Sequence, residues 1–289
     1  MKQKLVFIIG IIIFLCILFL TVWFILMDHS LEQYQKSGVI RIGYAVEAPY
    51  AFLSETGEVT GESPETAKMI VSRLGIKNIE WRQTDFNSLI PELESGQIDV
   101  IAAGMFITPE RAQLVNFSQP SIHVIQALLV LRGNPHQILS YDQVLVDSSL
   151  KIAVLSGSIE ERIMQNMKTP EDQLITVPDA LTGKQAVLTG LADGLALSSP
   201  TINWIIMHDN LDEFETAQPF EQPQDNLITK SGYVGFAFRK DETRLLKAWN
   251  AAMQDFIGSP EHLDIISRFG FTAEELPGSI RSEDLTNND

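Results

Sequence analysis

Residues 93–111 read LESGQIDVIAAGMFITPER, and residues 188–199, LTGLADGLALSS, echo their first part. Gly190 stands where Gly96 does, Asp193 stands where Asp99 does, and an apolar strand follows each acid. A glycine just past a helical stretch acts as a stop, because it enters the left-handed region without a Cβ clash. The unit of helix, glycine turn, acid and strand therefore occurs twice. Two similar α/β lobes in tandem are the expected result.

The flanking segments agree. VIRIGYA (39–45) and IEWRQ (79–83) read as strands. Between them, Ser63 is the expected N-cap and Pro64 the first helical residue. Ala67, Ile70, Val71 and Leu74 follow at helical spacing, and Gly75 closes the helix. NSLIPELES is the next helix and IDVIAAG the third strand, an alternation that makes a largely parallel sheet. The pattern restarts at LKIAVLSG (150–157), a strand running into a helix that begins near Ser158. QALLVLRGNP (126–135) and GYVGFAFRK (232–240) read as two crossover strands between the lobes.

Arg111 is out of place by its own electrostatics. Thr108 is a good N-cap, Pro109 suits the first helical position, and Arg111 falls in the first turn. A helix N-terminus carries roughly half a positive charge, which disfavours a cation by a few tenths of a kcal/mol or more. The same field favours an anion. Arg111 is thus the candidate fork for a ligand carboxylate.

From Leu5 to Met27 no charged side chain occurs. About 20 apolar residues cross a bilayer core, so this segment is long enough to span. The exit, FILMDHSLEQ, lacks the small-x-small pattern of a cleavage site. Lys2 and Lys4 precede the segment while Asp28 and Glu32 follow it, which puts residues 28–289 outside the inner membrane. The single cysteine, Cys16, lies inside the apolar segment, so no disulfide is expected beyond it. The formal net charge is −16, which argues against nucleic acid, whose phosphates need a basic footprint.

Catalytic signals are missing. The five histidines stand at 29, 123, 136, 208 and 262, with no pair at metal-ligand spacing. Ser-Gly-Ser at 156–158 lacks the flanks of a nucleophile elbow, and Gly183-Lys184 lacks the upstream glycine of a phosphate loop. Neither an enzyme nor a cofactor or metal is expected.

Binding signals are better. In α/β sheets, ligands sit beyond the carboxyl ends of strands, near helix N-termini. The first strand leads to Glu47 and Tyr50, the second to Phe86, the third to Phe106 and Arg111, and the strand at 151–155 to Glu160. Tyr50, Phe86 and Phe106 offer ring faces to a delocalised cation, and Glu47 and Glu160 offer acceptors for its N–H groups. Glu161 belongs to a capping box with Ser158, which leaves Glu160 to face a cleft. The implied ligand is a small zwitterion with a carboxylate and a shielded cationic group.

GYAVEAPYAF, DFNSLIPELESGQIDVIAAGMFITPERAQLVNFSQP, LLVLRGNP and the GFAFRK return strand resemble the family 3 solute-binding proteins of amino-acid ABC importers. The resemblance covers about residues 38–275. It implies a two-lobed periplasmic binding protein type II fold joined by two crossover strands, and ABC permease subunits as membrane partners. It also implies that Arg111 holds the ligand carboxylate. Within the family, EAPY, FNSLIP, AAGMFITPER and SGSIEE are most similar to the ectoine/hydroxyectoine-binding subgroup. That likeness gives Tyr50, Phe86 and Phe106 to the cyclic amidinium and Glu47 and Glu160 to its ring nitrogens. Ile107 and Ile159 would contribute backbone or van der Waals contact. One departure stands out: where amino-acid binders of the family carry an aspartate for the α-ammonium, this chain has Ser198. Other expected roles are capture of another amino acid or betaine, or ligand sensing through a separate signalling partner.

The expected organisation is a membrane anchor or uncleaved signal at 1–27, a tether at 28–37, a discontinuous first lobe at 38–131 and 233–277, a second lobe at 132–232, and a loose tail at 278–289.

Overall fold

The computed structural model describes residue 28 and residues 30–208, 213–223 and 232–286. The apolar segment Leu5–Met27, expected to span the membrane, lies outside them. Among the described residues, no helix is long and apolar enough to cross a membrane.

Two five-stranded sheets form the centres of two lobes. In the first, β1 (Val39–Tyr44) lies between β4 (Asn78–Gln83) and β5 (Val100–Ile101), all parallel. The antiparallel β14 (Ala237–Phe238) and then β6 (Asn116–Phe117) complete it. A short hairpin of β2 (Phe52–Leu53) and β3 (Val59–Thr60) stands between β1 and β4 in the chain. In the second sheet, β9 (Ile152–Leu155) lies between β10 (Leu174–Val177) and β11 (Gly194–Ser198), again parallel. β8 (Gln126–Leu131), antiparallel to β11, and then β12 (Phe214–Thr216), antiparallel to β8, extend it.

The sequence echo has a structural counterpart. Gly96 and Gly190 each close a helix with a φ of 72°. Asp99 then accepts from the Arg41 amide at 2.9 Å and donates its own N–H to the Arg41 carbonyl at 2.8 Å. Asp193 makes the same pair with Lys151, at 2.8 and 2.7 Å. Each acid therefore fixes the register of a central strand at the edge remote from the carboxyl ends.

Two boundaries differ from expectation. QALLVL does not cross between lobes; it is β8, buried along its length between β11 and β12. A strand apolar on both faces belongs inside a covered sheet, and this one belongs to the second. The passage between lobes is the ribbon of β7 (Ile122–His123) and β13 (Tyr233–Val234), paired antiparallel just outside both sheets. Ser63 is also not a cap. Gly61, at φ 123°, turns the corner before helix Glu62–Arg73, and the Ser63 hydroxyl accepts from the Gly104 amide instead.

Residue 28 and residues 30–37, expected to be a tether, are held against the first lobe. Ser30–Ser37 is a helix docked on helix Thr243–Gln254, with Tyr34 buried. Asp28 accepts from the Thr243 hydroxyl and the Arg244 amide, capping that helix. The Tyr34 hydroxyl donates to Glu242 at 2.5 Å, and Arg239 reaches Tyr34, Glu242 and Asp99 together. The expected loose tail is anchored as well: Ser282–Thr286 is helical, Leu285 is buried, and Gln119 exchanges hydrogen bonds with Ser282. Both segments are seated by apolar side chains, Leu31 and Tyr34 in the first and Leu285 in the second, and fixed by polar neighbours.

Tyr34→Phe removes a donor from the buried Glu242 carboxyl. Loss of a bond to a charged group costs on the order of 1–3 kcal/mol. Denaturant unfolding should show that loss with solute binding unchanged. Wild-type stability in the variant would mean that the N-terminal helix is only laid on the surface.

Candidate functional site

The carboxyl ends of the parallel strands in both sheets run into one pocket. β1 leads to Glu47 and Tyr50, β4 to Phe86, and β5 to Gly104, Phe106 and Arg111. From the second lobe, β9 leads to Ser158, Ile159 and Glu160, and β11 ends at Ser198. These residues close tightly on one another and leave a cavity of only about 20 Å³. Seven of the eight residues expected at the site thus line it: Glu47, Tyr50, Phe86, Phe106, Arg111, Ile159 and Glu160.

Ile107 does not line it. Its side chain lies in the first lobe's core with Met105, Val115 and Phe117, and its amide donates to the Tyr233 carbonyl at 2.8 Å. Side chains on extended backbone alternate, so the residue after a pocket-facing Phe106 faces away.

Arg111 is built as the sequence suggests. The Thr108 hydroxyl caps helix Pro109–Leu114 by accepting from the Arg111 amide at 3.3 Å. The guanidinium donates through Nη1 to the Phe106 carbonyl at 2.9 Å and through Nη2 to the Gly157 carbonyl of the second lobe at 2.8 Å. It lies 5.4 Å from the centre of the Phe86 ring. Burial pulls its pKa down to about 10, and the field of Glu160 pushes it back up. Among the described residues, both side-chain bonds go to carbonyl oxygens and none to a carboxylate. A guanidinium carries five N–H donors, so the fork has capacity for an anion.

Tyr50 forms the floor. Gly104, at φ 65°, makes room for it: a Cβ there would stand 2.5 Å from Tyr50 Cγ. The Tyr50 hydroxyl lies 2.9 Å from Ser198 Oγ, which lies 3.2 Å from Thr201 Oγ1. Thr201 in turn donates to Glu47 Oε1 at 2.9 Å. Phe106 is buried beside Tyr50, and Phe86 sits on the single helical turn Phe86–Ser88.

Glu160 occupies the first turn of helix Ile159–Asn166, capped by Ser158. Glu161 bonds back to the Gly157 amide, one residue before the cap, so Glu160 alone turns into the pocket, where it is 4% exposed. Burial raises Glu160 to about 7, and the Glu47 charge adds to the effect. Burial also raises Glu47 to about 7, against a hydrogen bond from Thr201 that lowers it.

Sequence reading missed Thr201 and the closing contacts. Arg111–Gly157, Tyr50–Ser198, Thr201–Glu47 and Asn87–Ser156 all cross from lobe to lobe. The available signal for Thr201 was its place in the first turn of the helix that follows β11, a standard ligand position in α/β sheets. Chemically, the pocket combines one anion fork, aromatic walls and two acceptor carboxylates. Among the described residues, no group of three His, Cys, Asp or Glu is arranged to hold a metal ion.

Residues 40–272 match the profile of the bacterial extracellular solute-binding proteins, family 3. A probable amino-acid ABC transporter periplasmic-binding protein of Sinorhizobium fredii is 32% identical over 249 residues, 86% of this chain and 82% of that protein. The L-cystine-binding protein of Escherichia coli is 26% identical over 231 residues, 79% of this chain and 81% of its own. Both are solute-binding proteins rather than enzymes. Among solved structures, EhuB in complex with hydroxyectoine aligns with a TM-score of 0.82 at 29% identity, covering 91% of this chain and 99% of EhuB. An ancestral amino acid-binding protein, a precursor of cyclohexadienyl dehydratase, aligns at 0.72 and 26% identity, covering 83% and 99%.

The raised acids give a signed pH dependence. Between 4.5 and about 7, Glu160 binds more protons folded than unfolded, so its contribution to stability falls as pH rises through that window. Glu160→Gln removes the loss. In denaturant unfolding without solute, the variant should exceed the wild type by up to about 3 kcal/mol at pH 8, with the gap closing by pH 5. Parallel pH profiles would contradict burial of this carboxyl.

Proposed function

The chain belongs to the bacterial extracellular solute-binding proteins of family 3, and we propose that it captures ectoine, hydroxyectoine or a close zwitterionic analogue for an ABC importer. The observation that carries the reading is the fork of Arg111, bonded among the described residues only to carbonyl oxygens, with the Phe86 ring over it and Glu47 and Glu160 in the same pocket. Ectoine is a ring amidinium bearing a carboxylate. Its carboxylate suits Arg111, its flat cation suits the faces of Tyr50, Phe86 and Phe106, and its two ring N–H groups suit Glu47 and Glu160. The likeness to EhuB in complex with hydroxyectoine supports this assignment.

Ser198 weighs against an ordinary α-amino acid. It stands where the family's amino-acid binders hold the α-ammonium with an aspartate, and its hydroxyl is already within bonding distance of Tyr50 and Thr201. A primary ammonium enclosed there without its counter-charge is costly. The same proposal places the protein on the extracytoplasmic face, handing solute to permease subunits. Attachment to the inner membrane through Leu5–Met27 rests on the sequence alone.

Thermal melting of the purified protein tests the ligand class. A solute at 100 times its dissociation constant adds about 2.7 kcal/mol to folding stability. Ectoine and hydroxyectoine should each raise the melting temperature, while glutamate, arginine and histidine leave it in place. A rise with a common amino acid and none with ectoine would overturn the assignment.

A further inference from the structure

Glu47 belongs to the first lobe and Thr201 to the second, and they meet only because the lobes are closed. Their bond is one end of a chain that runs Tyr50, Ser198, Thr201, Glu47. Proton counting fixes its direction when Glu47 is ionised. A carboxylate only accepts, so Thr201 spends its one hydrogen on Glu47. The Thr201 oxygen then accepts from Ser198, and the Ser198 oxygen accepts from Tyr50. Three hydroxyls thus point one way, from the pocket floor to the carboxylate. Each bond polarises the next.

We propose that Thr201 is a positioning residue for solute recognition: on closure it orients the Glu47 carboxylate and holds it ionised for the cationic part of the ligand. Thr201 binds Oε1, which leaves Oε2 for an N–H of the solute. The chain also turns the Tyr50 hydroxyl hydrogen toward Ser198, so that Tyr50 offers its ring to the pocket. Specificity for a cation is in this way assembled from both lobes and is complete only when they meet. The ligand's identity rests on the proposed function above; the role of Thr201 does not.

The groups that bear on Glu47 are few. Glu160 faces it from the second lobe, and the Glu47 charge raises Glu160 beyond the effect of burial. Tyr50 feels Glu47, Glu160 and the buried Glu62, and Arg111 acts mainly on Glu160. Thr201 is the neutral donor that favours the charged form of Glu47.

The test uses the full chain with carbon-13 in its glutamate carboxyls, with Glu47→Gln assigning the Glu47 signal. It compares wild type, Thr201→Val and Thr201→Ser, with ectoine calorimetry at pH 6, 7 and 8. Thr201→Val keeps the shape and removes the donor. Its Glu47 should titrate at higher pH than in the wild type, and ectoine should bind about tenfold more weakly at pH 7, since a bond to a charged group is lost. That deficit should widen at pH 6 and narrow at pH 8, and Thr201→Ser should restore both readouts. An unmoved Glu47 titration in Thr201→Val, a deficit equal at all three pH values, or a failure of Thr201→Ser to rescue would each overturn the proposal. If the wild type binds no ectoine but Glu47 titration moves and is rescued as stated, the ligand assignment fails and the role of Thr201 stands.

Discussion

The guanidinium of Arg111 lies between the two lobes and donates to two carbonyl oxygens, Phe106 from one lobe and Gly157 from the other. Its place in a helical first turn, beside a dipole of its own sign, has no local justification. The surrounding structure supplies one. Thr108 and Pro109 start the helix where the third parallel strand of the first sheet delivers it, and the Phe86 ring covers one face of the cation. A partly desolvated cation bonded to neutral oxygens suits an anion, which is the role we propose for Arg111.

The remainder of the pocket answers the opposite charge. Glu47 and Glu160 come from different lobes and both hold protons more tightly than free glutamates because they are buried. A cation placed between them would relieve that cost and lower both values. The lobes themselves meet through direct bonds at Arg111, Tyr50, Thr201 and Asn87. Closure is therefore part of the binding surface rather than a lid over it.

Much of this was legible because the signals are local. The glycine and acid of each repeat act within their own strand and its neighbour, and a helix cap with its proline is a short-range pattern. Glu160 was found by elimination, since the capping role falls to Glu161. What the sequence hid depends on contacts between distant residues. QALLVL has the composition of any covered strand, and only pairing with β11 and β12 assigns it to the second sheet. Thr201 lies 154 positions from Glu47, and nothing in its own segment announces that bond. The helix at Ser30–Ser37 is polar enough to read as linker, and its docking rests on Tyr34, Leu31 and the charges around Glu242. Ile107 was misplaced for a different reason: strand alternation beside Phe106 already pointed it to the core.

The central claim is that Arg111 is there to hold a ligand carboxylate, and calorimetric titration of ectoine into Arg111→Ala and Arg111→Lys addresses it most directly. Removing one side of a buried charge pair costs about 2–5 kcal/mol, or about 30-fold to several thousand-fold in affinity. The alanine variant should lose that much while melting close to the wild type without solute, because a cation is withdrawn from a helix N-terminus. Lysine should recover part of the affinity, having the charge without the planar fork. Ectoine affinity near the wild-type value in Arg111→Ala would contradict the account.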